Sequence, residues 1–170
     1  AQLEGVFNAP KEKLLEIEDM GNASYILIKL FKDIQKYIYK EDKLRGRKIS
    51  STKELIEYLN YDMANLQVEV FKIIFLDTQN VFINEKTIVV GTIDKSYIYP
   101  RELLKEIFEH NAKSVIFAHN HPSGNLNPSK ADINFTNSMR NLLKELEINL
   151  LDHVIIGTSG HYSFLEENLL

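Results

Sequence analysis

Residues 114–135 read SVIFAHNHPSGNLNPSKADINF. The apolar run at 115–118 has the length and composition of a buried strand, and His119 and His121 follow directly at its end. Because side chains i and i+2 of a strand point the same way, both imidazoles are predicted to project from one face. The pattern therefore predicts two histidines side by side where a sheet opens into a site.

The second half of this stretch predicts a loop followed by a helix. Pro122, Gly124 and Pro128 break regular structure, and the hydroxyl of Ser129 stands where a new helix is capped. Asp132 then falls in the first turn of that helix, so its carboxylate can point back at the histidines. Two imidazoles and one carboxylate form a ligand set typical of a catalytic zinc whose fourth position is open to water.

Each part of this pattern also has an ordinary structural interpretation. A lone His-x-His at a strand end is often structural or solvated, and the Ser129-x-x-Asp132 pair alone is typical of helix capping. These explanations would have to hold independently at matching spacings. The combined spacing therefore favours a metal site.

The composition limits the classes of protein that this chain can be. Its 170 residues, 44% apolar and 26% charged, suit one globular core with a small helical appendage. No apolar run is long enough to cross a bilayer and the first residues lack a signal-peptide layout, so we expect a cytoplasmic protein. Since there is no cysteine, a zinc ion would need nitrogen and oxygen ligands. The net charge of -4 gives no strongly basic surface for nucleic acid.

The first part of the chain, residues 1–48, is predicted to be a small all-α segment. Apolar spacing over 10–40 predicts a short and a longer helix, and residues 17–23 between them resemble a degenerate helix-hairpin-helix. Asp19 stands where that motif has its first glycine, and its carboxylate would repel a phosphate. A structural helical pair is favoured over DNA contact, which remains the alternative. The basic run at 43–48 is interpreted as a linker.

The second part, residues 49–170, is predicted to be an α/β domain with a mixed sheet flanked by helices. Residues 50–52 offer a cap for a helix over 53–59, and strands over 68–76 and 81–90 should form a hairpin, with strand or loop continuing to residue 93. A helix over 100–111 should pack on the sheet through Leu103, Leu104, Ile107 and Phe108. Two last strands are expected at 150–156 and 162–164.

The string HNHPSGNLNPSKAD resembles the RadC family, bacterial members of the JAMM (MPN+) metallopeptidase group, and the resemblance runs from about residue 66 to the end. It implies a cytidine-deaminase-like fold with one zinc per chain on His119, His121 and Asp132. It also implies that Glu69, on an earlier strand, is the general base and that Ser129 hydrogen-bonds the oxyanion or the water. The family's helical region extends further upstream, so the first domain is expected to be truncated here.

The reaction implied is hydrolysis of a peptide or isopeptide amide by a metal-activated water, so a protein or peptide substrate is expected. The alternative is a DNA-associated accessory protein with a non-catalytic metal site, because the family name carries a DNA-repair label. Asp152 and His153 are either a second acid–base pair or, as favoured, structural, since a buried histidine usually has a hydrogen-bond partner. The substrate and the oligomeric state stay open.

Overall fold

The computed structural model describes residues 3–49, 52–91 and 98–170. The chain divides into two compact units between Asp42 and Lys43. The predicted cap residues Ser50 and Ser51 and the predicted strand or loop over 92–93 lie outside the described residues.

The first unit is helical, as the spacing of its apolar residues predicts. Its helices are α1 (Leu3–Asn8), which was not predicted, α2 (Lys11–Leu15) and α3 (Asn22–Lys43). The ammonium of Lys29 donates to the carbonyls of Phe7 and Ala9, both at 2.9 Å, and the ring of Phe7 stacks on Phe31. These contacts hold the end of α1 against α3.

The turn between α2 and α3 has a left-handed residue at Asp19, with φ at +62°. Aspartate tolerates this region better than most side chains, and glycine tolerates it best. Asp19 therefore takes a backbone conformation that glycine adopts more readily, and adds a carboxylate at that point.

One side of α3 is apolar and exposed. Seven large side chains recur there at steps of three and four residues and are 46–64% exposed: Ile26, Leu27, Leu30, Phe31, Ile34, Tyr37 and Ile38. This surface is hydrophobic and not basic, which is the opposite of what phosphate binding requires.

The second unit is a mixed α/β domain with helices against a five-stranded sheet, as predicted. Its elements are α4 (Thr52–Met63), β1 (Val70–Leu76), β2 (Phe82–Val90), α5 (Pro100–Glu109), β3 (Ser114–Asn120), α6 (Lys130–Glu145), β4 (Asn149–Gly157) and β5 (Gly160–Ser163). The strand order is β2-β1-β3-β4-β5. The β3–β4 pair is parallel and the other pairs are antiparallel. The strand predicted over 81–90 is found as β2, a bulged strand that pairs with β1 in the expected hairpin.

The core lies between one face of the sheet and helices α5 and α6. Alternate residues of β1 and β3 fill it, together with side chains from both helices: Phe71, Ile73, Phe75, Val115, Phe117, Leu103, Ile107, Met139 and Leu143. The predicted stripe of α5 is correct for Leu103 and Ile107, which are buried, and Leu104 packs on the cluster. The prediction is wrong for Phe108, whose side chain is 56% exposed and does not pack on the sheet.

The opposite face of β1 carries a buried charged network against α4. The Lys72 ammonium pairs with Asp62 of α4 and lies 3.5 Å from a Glu85 oxygen, while the other Glu85 oxygen accepts a 2.5 Å hydrogen bond from the Tyr58 hydroxyl. Burial and the neighbouring charge of Glu85 raise the pKa of Tyr58, so it stays a neutral donor. The network fixes α4 on β1 and β2.

Among the described helices, none combines the length and the apolar composition needed to cross a membrane.

Candidate metal centre

The two histidines lie together at the end of β3. The ring of His119 is fully buried and that of His121 is partly exposed, and their Nε2 atoms are 3.0 Å apart. His119 is the last β3 residue paired with β1, opposite Phe71. The site therefore begins where the β1–β3 ladder ends.

The His121 ring has one orientation and one tautomer imposed by the loop that follows it. Its Nδ1 lies 2.6 Å from the carbonyl oxygen of Asn125. Because a carbonyl only accepts, Nδ1 must carry the proton and donate it. In the neutral ring, the Nε2 lone pair then points toward His119.

Asp132 reaches this point from the first turn of α6. Ser129 caps the helix, and the two residues form a capping box: the Ser129 hydroxyl and backbone N–H donate to Asp132 Oδ2 at 2.6 and 2.8 Å, and the Asp132 N–H donates back to Ser129 Oγ at 3.1 Å. The other oxygen, Oδ1, lies 3.3 Å from His119 Nε2. The cap thus holds a buried carboxylate against the histidines.

Glu69 comes from the segment just before β1. It is half-buried and offers an oxygen that lies with one nitrogen of each histidine in a group whose atoms are within 4.8 Å of one another. Its carbonyl accepts from the N–H of Gly91 at 2.8 Å. The backbone of this segment is therefore held in place although Glu69 precedes β1.

Asn120, between the histidines, was not singled out from the sequence. As the middle residue of His-x-His its side chain leaves the opposite face of the strand. Its Oδ1 accepts from the Val70 N–H at 2.8 Å, and its Nδ2 donates to the Val68 carbonyl at 3.1 Å. One side chain thus binds the backbone on both sides of Glu69.

His153 of β4 also reaches the site, although the sequence analysis favoured a structural role for it over an acid–base pair with Asp152. Its Nε2 lies 2.9 Å from His119 Nδ1, and its Nδ1 lies 2.6 Å from Thr136 Oγ1. The ring is fully buried and stacks on Phe164, with their centroids 4.9 Å apart. It is directly behind a predicted metal ligand.

Asp152 faces the other way from His153, so the two side chains do not form an acid–base pair. Its oxygens accept from the backbone N–H groups of His153 and Leu165 and from the Ser163 hydroxyl. Burial raises the pKa of the carboxyl, the hydrogen bonds oppose that shift, and the charge of Glu166 adds to it. This supports the favoured structural interpretation for Asp152.

The donor atoms at the centre fit a zinc ion. A tetrahedral zinc with bonds of about 2.0–2.1 Å keeps its ligand atoms about 3.3 Å apart. The two Nε2 atoms are 3.0 Å apart and His119 Nε2 is 3.3 Å from Asp132 Oδ1, both close to this value, while His121 Nε2 is 3.8 Å from Asp132 Oδ2. Two imidazoles and a carboxylate are also a ligand set that zinc accepts.

Fold and site together define an α/β domain of the JAB class, in which a candidate metal centre lies between a strand end and a helix start. The sequence matches the family model "RadC-like JAB domain" over residues 49–169. The chain belongs to this RadC-like family, which confirms the resemblance drawn from its motif.

Relatives that this chain matches over about three quarters of their length support the assignment. A UPF0758 protein of Fusobacterium nucleatum is 39% identical over 176 residues, which cover 99% of this chain and 75% of the relative. UPF0758 proteins of Pseudoalteromonas translucida and Enterococcus faecalis are 37% and 35% identical, covering 99% and 98% of this chain and 75% and 72% of the relatives. The names of these relatives state no activity.

Proposed function

We propose that this chain is a zinc-dependent metallohydrolase that cleaves a peptide or isopeptide amide bond. The observation that carries the proposal is the convergence of His119, His121 and Asp132 with a carboxylate, Glu69, beside them. Three ligands and one separate carboxylate are the parts that metal-assisted hydrolysis needs.

His119, His121 and Asp132 would hold the zinc, one ion per chain. When bound, zinc supplies a Lewis acid that polarises a carbonyl and lowers the pKa of water to about 7. The His121 ring is the partly exposed ligand, so we propose that a substrate approaches the centre from the side of His121.

Glu69 is proposed as the general base. Its carboxylate takes a proton from the attacking water and delivers it to the leaving amine, so that the proton lost by one is gained by the other. A partly exposed position near both histidines suits this role, because the group must meet water and substrate.

Ser129 is proposed to hydrogen-bond the oxyanion, a contribution of about 3 kcal/mol for one such donor. In the structure its hydroxyl donates to Asp132 Oδ2. Donation to a substrate oxygen would require the hydroxyl to rotate away from Asp132 Oδ2. That oxygen would still accept a hydrogen bond from the Ser129 backbone N–H.

The test is metal content followed by activity. Purified wild type should retain about one zinc per chain, and the double variant His119→Ala/His121→Ala should retain none, while His110→Ala, a histidine stacked on Phe75, serves as control. Glu69→Gln should keep the zinc and lose cleavage of a peptide library. If wild type neither retains zinc nor takes it up, the proposal is wrong.

A DNA-associated function remains the second candidate. It predicts salt-sensitive DNA binding that survives loss of His119 and His121. The described N-terminal helices favour it less than they favour a structural role, because Asp19 puts a carboxylate in the turn and the exposed side of α3 is apolar.

A further inference from the structure

A chain of three hydrogen bonds runs from the start of α6 through β4 to His119. Thr136 Oγ1 lies 2.6 Å from the carbonyl oxygen of Asp132 and 2.6 Å from His153 Nδ1. His153 Nε2 in turn lies 2.9 Å from His119 Nδ1. Thr136, His153 and His119 are all buried, so bulk water does not compete for these groups.

For neutral imidazoles, the form in which histidine binds a metal, the carbonyl at one end of this chain fixes the direction of every bond. Since a carbonyl only accepts, the Thr136 hydroxyl must donate its proton to Asp132, and its oxygen can then only accept from His153. His153 therefore carries its proton on Nδ1. Its Nε2 is left as an acceptor.

The same logic continues to the candidate ligand. Because His153 Nε2 accepts, His119 must carry its proton on Nδ1, which leaves the Nε2 lone pair directed at His121 and Asp132. We infer that His153, held by Thr136, is a positioning residue that fixes the tautomer and ring angle of His119 for metal binding. This inference rests on the proposed function.

A purely structural role for His153 makes a different prediction. The ring stacks on Phe164 and makes T-shaped contacts with Phe71 and Phe117, so a phenylalanine would fill the same space among aromatic neighbours. If shape alone matters, His153→Phe should be the best tolerated change and His153→Gln a worse one. If the acceptor matters, zinc affinity should show the reverse order, because the glutamine amide oxygen can stand near the position of Nε2.

The experiment compares His153→Phe, His153→Gln and Thr136→Val with wild type. The zinc dissociation constant is measured by competition with a chromophoric chelator, the visible absorption of the cobalt-substituted protein reports ligand geometry, and thermal unfolding of the metal-free protein reports the fold. The matched control is His110→Phe, the same change at a histidine that bonds Asn84 and Glu106.

We expect His153→Phe to weaken zinc binding 10–100-fold, the range typical of lost partners of metal-bound histidines, and to alter the cobalt spectrum. His153→Gln should lose less affinity, even if it unfolds at a lower temperature. Thr136→Val should also lose less, because His153 then keeps its ring but is free to change tautomer. The control, His110→Phe, should match wild type in zinc affinity and in the cobalt spectrum.

Wild-type zinc affinity and an unchanged cobalt spectrum in His153→Phe would overturn the inference and leave the proposed function intact. Affinities that follow the order of thermal stability would overturn it too. Failure of wild type itself to bind zinc would instead overturn the proposed function, and the inference with it.

Discussion

Replacing Asn120 by alanine should loosen the segment that carries Glu69. The change removes a 2.8 Å bond from the Val70 N–H and a 3.1 Å bond to the Val68 carbonyl. Val70 is 6% exposed, so its N–H would be a buried donor with no partner, at a cost of about 1–3 kcal/mol. Val68 is 46% exposed and its carbonyl can bind water, which limits its share to about 1 kcal/mol. We expect Asn120→Ala to lower the free energy of unfolding by about 2–4 kcal/mol.

The Asn120→Asp variant distinguishes the contribution of the acceptor oxygen of Asn120 from that of its donor nitrogen. The carboxylate keeps an oxygen for the Val70 N–H, but its second oxygen replaces an amide donor and faces the Val68 carbonyl, and a buried charge is introduced. At pH 7 this variant should be at least as destabilised as Asn120→Ala. Burial raises the pKa of the introduced carboxyl in the folded state, so the native state binds its proton more tightly. The loss of unfolding free energy relative to wild type should therefore be small below the unfolded pKa of about 3.9 and should grow as pH rises through the folded pKa.

Urea unfolding followed by far-UV circular dichroism measures the total effect, and hydrogen exchange at the Val70 amide measures the local one. The control is Asn127→Ala, a change at an exposed loop asparagine, which should stay within about 0.5 kcal/mol of wild type. Zinc affinity should not change, because neither histidine ring bonds Asn120. If Asn120→Ala is as stable as the control and Val70 exchange is not faster, the reasoning is refuted.

Three further changes test other parts of the domain. Lys72→Met leaves two buried carboxylates without their ammonium and should cost about 3–5 kcal/mol in urea unfolding, so an unchanged midpoint would contradict the network. Gly124→Ala puts a side chain at φ +77° in the loop between the ligands and should lower stability by about 1–2 kcal/mol in thermal unfolding, whereas Gly5→Ala, in open space, should not. Burial raises the pKa of Asp152, so its contribution to stability is present below about pH 3.9 and is lost as pH rises through the folded pKa. Asp152→Asn should therefore flatten this part of the plot of unfolding free energy against pH. Parallel plots for the variant and wild type would contradict this assignment.

The elements that carry the site could be predicted because their signals are local. An apolar run followed by His119 and His121 predicts a strand end, and the loop chemistry before Ser129 predicts the start of a helix. β3 and α6 are found where these patterns place them. The capping interaction between Ser129 and Asp132, considered first as an ordinary structural alternative, is present and at the same time orients the carboxylate toward His119.

The role of His153 could not be predicted because it depends on a register shift between β3 and β4. Val115 pairs with Leu150, but Ile116 pairs with Asp152, so one residue is skipped. Without that irregularity, the alternation of faces would direct Asp152 toward the site and turn His153 away, because a shift of one residue exchanges the two faces of a strand. Nothing in the sequence of either strand alone marks the skipped residue.

Asn120 and His153 support the candidate centre from two different strands, and their contacts imply separate effects. Asn120 binds the backbone of Val68 and Val70, which flank Glu69 on the β1 side, whereas His153 binds the His119 ring from the β4 side. Loss of the Asn120 hydrogen bonds should therefore displace the proposed base while the ligands keep their geometry. Loss of the His153 hydrogen bond should weaken zinc binding while the backbone around Glu69 stays bound to Asn120. The central position of β3, between β1 and β4, is what allows one strand end to join the ligands to the base, since each neighbouring strand orients a different part.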